Sequence, residues 1–143
     1  MSVDPRTLGW VSRALTHEMR AVQQYLAQSV LARMRGDEAL SAKLRHEAME
    51  ELGHAERLME QLIRFGVAPS AGNLPPSRLG RSTDDMLQAD RELELEAVRL
   101  YQDAVAHARR MHDGGTASVL EGILAEEIAH VKEIDGMRNS NGG

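Results

Sequence analysis

The stretch EELGH at residues 50–54 recurs, with two substitutions, as EEIAH at residues 126–130. The displacement along the chain from one stretch to the other, called the repeat displacement below, also relates two further pairs of identical residues. These pairs are Glu18 with Glu94 and Tyr25 with Tyr101. An internal repeat is assessed first because it decides how the whole chain is organised. Each half of this chain contributes one glutamate followed by a Glu-x-x-His motif.

The composition predicts one globular domain over residues 1–143. Hydrophobic residues make up 42% of the chain and charged residues 27%, which is typical of a domain with its own core. A net charge of -5 and only four aromatic side chains do not suit nucleic acid, whose recognition needs basic and stacking groups. Because the chain has no cysteine, any metal must be bound by oxygen and nitrogen ligands.

Targeting signals are not recognisable in the sequence. Residues 1–6, MSVDPR, lack the basic start and apolar core of a secretion signal. No apolar stretch approaches the ~20 residues that a membrane-spanning helix needs. We therefore expect a cytoplasmic protein with no membrane partner.

Apolar residues recur at spacings of three and four, which predicts α-helices. Start and stop signals such as Asp4-Pro5 and Gly36-Asp37 set the helix limits. The predicted helices span about residues 5–35, 38–65, 83–112 and 116–137, with residues 139–143 as a frayed tail. Residues 66–82 are rich in proline and glycine and predict a long loop.

The connections between the predicted helices define an all-α topology. Short turns at Gly36 and Asp113 give two antiparallel hairpins, and the loop at residues 66–82 is long enough to return along a whole helix. Two hairpins joined by one long crossover are similar to a ferritin-like four-helix bundle. Glu18 and His54 are equally distant from Gly36, so they should lie level across the first hairpin.

The duplicated acids and histidines predict a site for two metal ions. Residues three apart on a helix share a face, so each Glu-x-x-His motif can reach one metal. Four carboxylates and two imidazoles without sulfur suit iron, with manganese as the alternative. We expect Glu18 and Glu94 as terminal ligands, His54 and His130 as one ligand to each metal, and Glu51 and Glu127 as bridges. The metal charges would balance the buried carboxylates.

At these residues the chain resembles the bacterioferritins of the ferritin-like superfamily. The resemblance rests on Glu18, Glu51-Leu-Gly-His54, Glu94 and Glu127-Ile-Ala-His130 in that order. It implies a ferroxidase centre that oxidises two Fe(II) ions per subunit with O2 or H2O2. It also implies iron storage or detoxification in a homo-oligomer, as dimers or a shell.

Two departures from the bacterioferritin pattern limit what the resemblance implies. The family binds haem through a methionine where this chain has Leu52, so no haem is expected. Met49, one turn away, is the alternative haem ligand, although methionine on a helix more often serves packing. The chain stops at Gly143, soon after His130, so the family's short fifth helix is not expected and the size of the assembly stays open.

Further residues near the motifs have two interpretations each. Tyr25 is either a core residue or a neighbour of the metal site that donates an electron, whereas Tyr101 is expected in the core with its hydroxyl hydrogen-bonded. His46 with Glu50 is either an iron relay, as the resemblance implies, or an exposed helical pair. Glu47 is either a gate to the site or part of an ion pair.

The remaining polar residues on these helices are not expected to bind metal. Asp90, one turn before Glu94, is expected to be a hydrogen-bond partner. The spacing of the other three histidines fits no ligand pattern, and we expect ordinary surface or interface positions for them. These histidines are His17, His107 and His112.

Two other functions use the same sequence features. A di-iron or di-manganese peroxidase or catalase-like enzyme would use the same six ligands without storing mineral. A cargo protein that docks inside another shell would use its metal mainly for stability. Iron retained far beyond the capacity of the site would exclude the enzyme alternative.

Overall fold

A computed structural model describes residues 3–141 and contains four α-helices. They are α1 (Pro5–Met34), α2 (Glu38–Arg64), α3 (Thr83–Arg110) and α4 (Gly114–Asn141). No strand occurs between residues 3 and 141, which confirms the all-α prediction. Residues 1, 2, 142 and 143 lie outside the described part, and they include the end of the predicted frayed tail.

The first hairpin is shaped by capping groups at both of its helices. The Asp4 side chain accepts a hydrogen bond from the backbone N–H of Arg6 at 2.7 Å, and Pro5 occupies the first helical position. Between α1 and α2, Gly36 adopts a left-handed φ of 84° that glycine tolerates without strain. Asp37 then caps α2 by accepting from the N–H of Leu40.

The second hairpin turns at residues 111–113, so the glycines at 114 and 115 belong to α4 and not to the turn. The left-handed residue is His112, with φ 57°, and not Gly114 or Gly115. Asp113 accepts a hydrogen bond from the backbone N–H of Thr116 at 3.0 Å and so acts as the N-cap of α4. Because this cap precedes the glycines, α4 begins at Gly114, before the predicted start at residue 116.

The last turn of α4 differs from the prediction. The helix continues past Met137 to Asn141, where a frayed tail was expected. Its Arg138 guanidinium donates to Asp84 on α3 at 3.0 Å and also to Gln88. These bonds fasten the end of α4 to the beginning of α3, which explains why the final turn is helical.

The crossover between the hairpins lies against α1 and α3. The Gln28 side chain donates to the carbonyl oxygen of Arg78 at 2.8 Å, and Gln23 donates to the carbonyl oxygen of Pro75 at 2.8 Å. The Arg78 guanidinium reaches Glu92 on α3 at 2.6 Å. The loop is thereby held along the bundle, and neighbouring helices run antiparallel.

The hydrophobic core is divided into two clusters. One cluster is built around Leu15, Leu58 and Tyr101, and the other around Leu44 and Tyr25. Buried charged residues occupy the bundle between these clusters. In the described residues, no helix is long and apolar enough to span a membrane.

Candidate metal centre

The six predicted ligands come from all four helices and converge inside the bundle. On α2 and on α4 the glutamate and the histidine lie three positions apart, so each pair shares one helix face. All six side chains are buried, with at most 3% of the residue surface exposed. They are Glu18 on α1, Glu51 and His54 on α2, Glu94 on α3, and Glu127 and His130 on α4.

These residues form two overlapping groups of four. In each group, one ligand atom per residue lies within 4.8 Å of the ligand atoms of all other members. The groups are Glu18, Glu51, His54 and Glu127, and Glu51, Glu94, Glu127 and His130. Glu51 and Glu127 belong to both groups, while each glutamate from α1 or α3 and each histidine belongs to one. The geometry matches two metal positions that share two carboxylates.

The atoms that face the middle of the site make no well-formed hydrogen bond, although Nδ1 of His54 lies 3.0 Å from Oε1 of Glu127 and Nδ1 of His130 lies 3.0 Å from Oε1 of Glu51. They are Oε2 of Glu18 and Glu94, both carboxylate oxygens of Glu51 and Glu127, and Nδ1 of His54 and His130. Buried polar atoms are nearly always paired, because leaving one unpaired costs ~1–3 kcal/mol. A cation placed among them would satisfy all of these atoms. Carboxylate oxygen and imidazole nitrogen are ligands that suit iron and manganese.

Burial and neighbouring charges shift the pKa values of several candidate ligands. Burial and the neighbouring carboxylate of Glu18 raise the pKa of Glu51 well above its usual value. Burial acts to lower the pKa of His54, but the carboxylates of Glu127 and Glu18, 3.0 and 3.5 Å from its Nδ1, outweigh burial and raise that pKa to about 10. Burial opposes the pKa shift of Glu127 too, yet the close contacts of this carboxyl with both histidines lower its pKa. Metal binding would therefore displace protons from the site.

Comparisons with known proteins identify the family of the chain. A family model described as the ferritin-like domain matches residues 11–140. The bacterioferritin of Streptomyces coelicolor is 33% identical over 135 residues, which cover 94% of this chain and 81% of that protein. The bacterioferritin of Rhodobacter capsulatus is 27% identical over 131 residues, covering 92% of this chain and 81% of that protein. The chain is a bacterioferritin-like member of the ferritin-like family.

A solved structure shares the fold of this bacterioferritin-like chain. The structure of Rhodobacter capsulatus bacterioferritin superposes with a TM-score of 0.92 and 24% sequence identity. The match covers 98% of this chain and 89% of that one, which confirms the ferritin-like four-helix bundle. That structure is described as having a metal-free dinuclear site and a haem iron in a crystallographic special position.

The haem question concerns two residues of α2. Leu52 is partly buried, and its side chain has no atom that coordinates iron. Met49, the alternative ligand, is 44% exposed on the same helix. The sequence-based expectation that Leu52 does not support haem binding remains a prediction for this bacterioferritin-like chain.

On the outer side of the centre, each histidine contacts a second carboxylate. The Nε2–H of His130 donates to Glu50 at 2.6 Å, and Nε2 of His54 lies 3.4 Å from Glu126. Glu50 and Glu126 are again related by the repeat displacement. A ligand histidine commonly donates its second N–H to a carboxylate, which leaves the other nitrogen free for metal. Here that other nitrogen is Nδ1, which faces the shared carboxylates in both rings and makes no well-formed hydrogen bond.

A cavity of about 410 Å³ opens at these outer carboxylates, between α2 and α4. Its lining includes both histidines, Glu50, Glu126 and Glu133. The cavity gives the imidazole edges of the centre their contact with the surface. A larger cavity of about 470 Å³ lies where α2 begins and α4 ends, and none of the six candidate ligands lines it.

The cavity of about 410 Å³, called the α2/α4 groove below, has two sides with different charges. Beside His54, the Arg57 guanidinium donates to Glu126 at 2.7 Å. A side chain on Gly122 would collide with that guanidinium at 2.6 Å, so this glycine leaves room for it. The opposite side, beside His130, is acidic. Its carboxylates are Glu47, Glu50 and Glu133.

The residues suggested as a relay extend outward from His130. Glu50 contacts His130 with one oxygen and His46 with the other, the latter at 2.9 Å. Glu47 lies 3.4 Å from Nε2 of His130. Burial raises the pKa of Glu47 to about 7, against the opposing effect of His130 and with support from Glu50. The pair His46–Glu50 is exposed and helical, and it also contacts the centre.

Both tyrosines contact the centre through their hydroxyl groups. Tyr25 donates to Oε1 of Glu94 at 2.8 Å, and Tyr101 donates to Oε1 of Glu18 at 2.6 Å. Burial, and then the nearby carboxylates, raise the pKa of each phenol well above its usual value. Each phenol therefore stays protonated and donates a hydrogen bond to a glutamate from the other half of the chain.

Asp90 is a hydrogen-bond partner, as expected, and lies outside both four-residue groups. Gln24 donates to its Oδ1 atom at 2.9 Å.

The expectation for the histidines was wrong at two positions. His17 is buried with Nε2 3.0 Å from the carbonyl oxygen of Leu93, and His107 is buried beside Trp10. Both point inward because their positions fall on the inner faces of α1 and α3.

Sequence reasoning missed several groups around the centre. The repeat displacement would have paired Glu50 with Glu126, because both precede a motif glutamate. The same displacement makes Tyr101 the counterpart of Tyr25, so a matching hydrogen bond was foreseeable. The roles of Arg57 and Glu133 depend on packing across the groove, which no spacing within one helix reveals.

Proposed function

We propose that the chain is a di-iron ferroxidase that oxidises Fe(II) to Fe(III) with O2 or H2O2. The observation that carries this proposal is the pair of overlapping ligand groups, whose inward atoms are buried together without a well-formed hydrogen bond. Two positions with the same ligand types let two ferrous ions react together. Family membership supports iron as the metal, with manganese as the alternative.

The proposed roles follow the position of each residue. Glu18 and Glu94 would be terminal ligands, and Glu51 and Glu127 would be shared by two irons. His54 and His130 would each bind one iron through Nδ1, since their Nε2 atoms face Glu126 and Glu50. Each iron would then be held by three carboxylates and one imidazole.

The bound irons supply two electrons in one event. Each Fe(II) loses one electron, so O2 accepts two electrons and two protons and leaves as H2O2, or H2O2 accepts the same and becomes two waters. The protein contributes ligands that stabilise Fe(III), since carboxylates are hard anionic donors. Tyr25 would support the centre by donating a hydrogen bond to Glu94.

We further propose that oxidised iron leaves through the α2/α4 groove for storage. Glu50 connects His130 to His46, which supports a relay from the centre to the surface. Storage requires a homo-oligomer that encloses the iron. Exposed apolar side chains on the first hairpin support self-association through α1 and α2. They are Val30, Met34, Met49 and Ile63.

The test is retention of iron by the wild-type protein. Ferrous iron is added in steps to the metal-free protein under air, and iron per subunit is counted in the protein peak after gel filtration. We expect a large assembly that retains iron far beyond two ions per subunit. A plateau at two in a small oligomer would favour the peroxidase or catalase-like alternative, and no oxidation at all would contradict the proposal.

The matched control removes both shared carboxylates. Glu51→Ala with Glu127→Ala should abolish rapid oxidation while leaving the helices and the surface unchanged. Circular dichroism of the metal-free variant checks the fold. If this variant oxidised iron as fast as the wild type, the reaction would be occurring elsewhere on the protein.

A further inference from the structure

The two halves of the centre hold their terminal glutamates in the same crossed manner. Tyr101 on α3 donates to Glu18 on α1, and Tyr25 on α1 donates to Glu94 on α3. The repeat displacement relates the two tyrosines to each other, and it relates the two glutamates as well. The hydrogen bond of Tyr101 is the shorter one, at 2.6 Å.

The two oxygens of Glu18 have different surroundings. Oε1 accepts the hydrogen bond from Tyr101, whereas Oε2 has no hydrogen-bond partner and lies 3.5 Å from Nδ1 of His54. A glutamate side chain has three rotatable bonds, so an isolated carboxylate would adopt several orientations. The phenol selects the orientation in which Oε2 faces the shared metal ligands.

The ring of Tyr101 is itself fixed by packing. The residue is fully buried and belongs to the larger core cluster, which includes Leu15, Leu58, Leu120 and Ile123. A close-packed core leaves a side chain little freedom to move. The hydroxyl is therefore a fixed donor at a fixed distance from Glu18.

We infer that Tyr101 is a positioning residue for the metal subsite formed by Glu18, His54 and the shared carboxylates. This inference rests on the proposed di-metal centre and names the group that orients one of its terminal ligands. Outer partners that orient a metal ligand typically change metal affinity by about 10- to 100-fold. Tyr101 acts at one subsite only, because its hydroxyl contacts Glu18 and Tyr25 serves Glu94.

The test compares Tyr101→Phe with the wild type in Co(II) binding to the metal-free protein. Phenylalanine keeps the ring and removes only the hydroxyl. Isothermal titration and visible absorption should show two Co(II) ions in the wild type, and one of the two weakened by about 10- to 100-fold in the variant. Unchanged affinity for both ions, or equal weakening of both, would overturn the inference.

Paired backgrounds identify the affected subsite. In Glu94→Ala, which leaves the Glu18 subsite, adding Tyr101→Phe should weaken the remaining Co(II). In Glu18→Ala, the same substitution should change nothing, since its partner is gone. Equal effects in both backgrounds would mean that Tyr101 acts through general packing. Tyr25→Phe is the matched control and should show the opposite pattern.

A measurement without any change at Tyr101 covers the case in which Tyr101→Phe does not fold. The chain has two tyrosines, so Tyr25→Phe leaves Tyr101 as the only one. Ultraviolet resonance Raman should show its phenol bands shift on Co(II) binding when Glu18 is present, and not in Glu18→Ala. Tyr101 phenol bands that do not shift on Co(II) binding when Glu18 is present would overturn the inference. Wild-type protein that binds no Co(II) pair would overturn the proposed function as well.

Discussion

The two halves of the candidate metal centre have the same buried ligands, but they differ in the residues that surround those ligands at the protein surface. Inside, every ligand has an identical counterpart at the repeat displacement, and the tyrosines repeat the same contact. Outside, the residue three positions after the histidine is Arg57 on one side and Glu133 on the other. The counterpart of His46 is Gly122, and that of Glu47 is Ile123. The repeat is exact at the six candidate ligands and at the two tyrosines, and it is lost at these outer positions.

This contrast indicates that the buried ligands determine how metal is bound, whereas the surface residues determine how metal reaches the site. In the proposed function, a symmetric ligand set would give two irons similar surroundings, so that both could react in one event. The exterior decides how charged ions approach and leave, because a groove lined by acids concentrates cations and an arginine repels them. The acidic side contains His130, whereas the arginine lies beside His54. We therefore expect cations to pass on the His130 side.

The symmetry of the interior predicts the largest effects. Glu127→Ala should remove both metals, because Glu127 belongs to both ligand groups, whereas Glu94→Ala should remove one. Co(II) stoichiometry measured by titration should fall to zero and one, respectively. Iron oxidation should fall by at least about 100-fold in both, exceeding the effect of losing an outer partner.

The control for this prediction is the symmetric counterpart of each variant. Glu51→Ala should behave as Glu127→Ala does, and Glu18→Ala as Glu94→Ala does. Wild-type oxidation kinetics in Glu94→Ala would contradict the ligand assignment. A single Co(II) retained by Glu127→Ala would show that this carboxylate serves one metal only.

The asymmetry of the exterior predicts an intermediate effect. Glu133→Arg would place a guanidinium beside His130, as Arg57 lies beside His54. We expect Co(II) uptake to slow by roughly 10-fold, since electrostatic steering changes association rates by about 10- to 1000-fold. Stopped-flow absorption measures the rate, and the effect should shrink as ionic strength rises.

The reverse substitution makes the comparison complete. Arg57→Glu gives the His54 side an acid where the other side has Glu133, and uptake should become faster. Arg64→Glu is the matched control, because it makes the same charge change at an exposed arginine paired with Glu60. Equal rates for Arg57→Glu and Arg64→Glu would show that net charge, and not the groove, governs uptake.

The interior of the site was far more predictable from the sequence than its exterior. Glu-x-x-His spacing fixes a shared helix face, and the turn at Gly36 sets the level of Glu18 opposite His54. The exterior contacts join different helices, such as Arg57 with Glu126, so they depend on how closely α2 and α4 approach. The buried state of His17 was also missed, since a histidine gives no sign of whether its helix face is covered.

The fold limits followed the capping groups more closely than the glycines. Glycine at residues 114 and 115 suggested a turn, but Asp113 caps α4 and His112 takes the left-handed conformation. The end of α4 could not be foreseen, because its last turn is held by Arg138 and by Asp84 of another helix. Local signals fix where a helix begins, whereas tertiary contacts decide how far it continues.

Asp90 offers a smaller test of how the halves differ, because its counterpart in the first half is Ala14. Burial raises the pKa of Asp90 to about 7, despite hydrogen bonds from Gln24 and Gln28 that lower it. The unfolded value is about 4, so the folded protein binds this proton more tightly. The free energy of unfolding should therefore fall as the pH rises from about 4 to about 7.

Asp90→Asn should remove this pH-dependent loss of stability. An asparagine resembles the protonated acid and keeps the oxygen that accepts from Gln24. Urea unfolding of the metal-free protein should show a smaller difference from the wild type at pH 4.5 than at any higher pH up to 7. At pH 8 the variant should be more stable by at least about 1 kcal/mol, since one pKa unit is worth 1.36 kcal/mol. The control is Asp103→Asn, an exposed change on the same helix, whose stability difference from the wild type should not increase with pH. A stability difference for Asp90→Asn that stays constant with pH would mean that Asp90 is already ionised at pH 4.5.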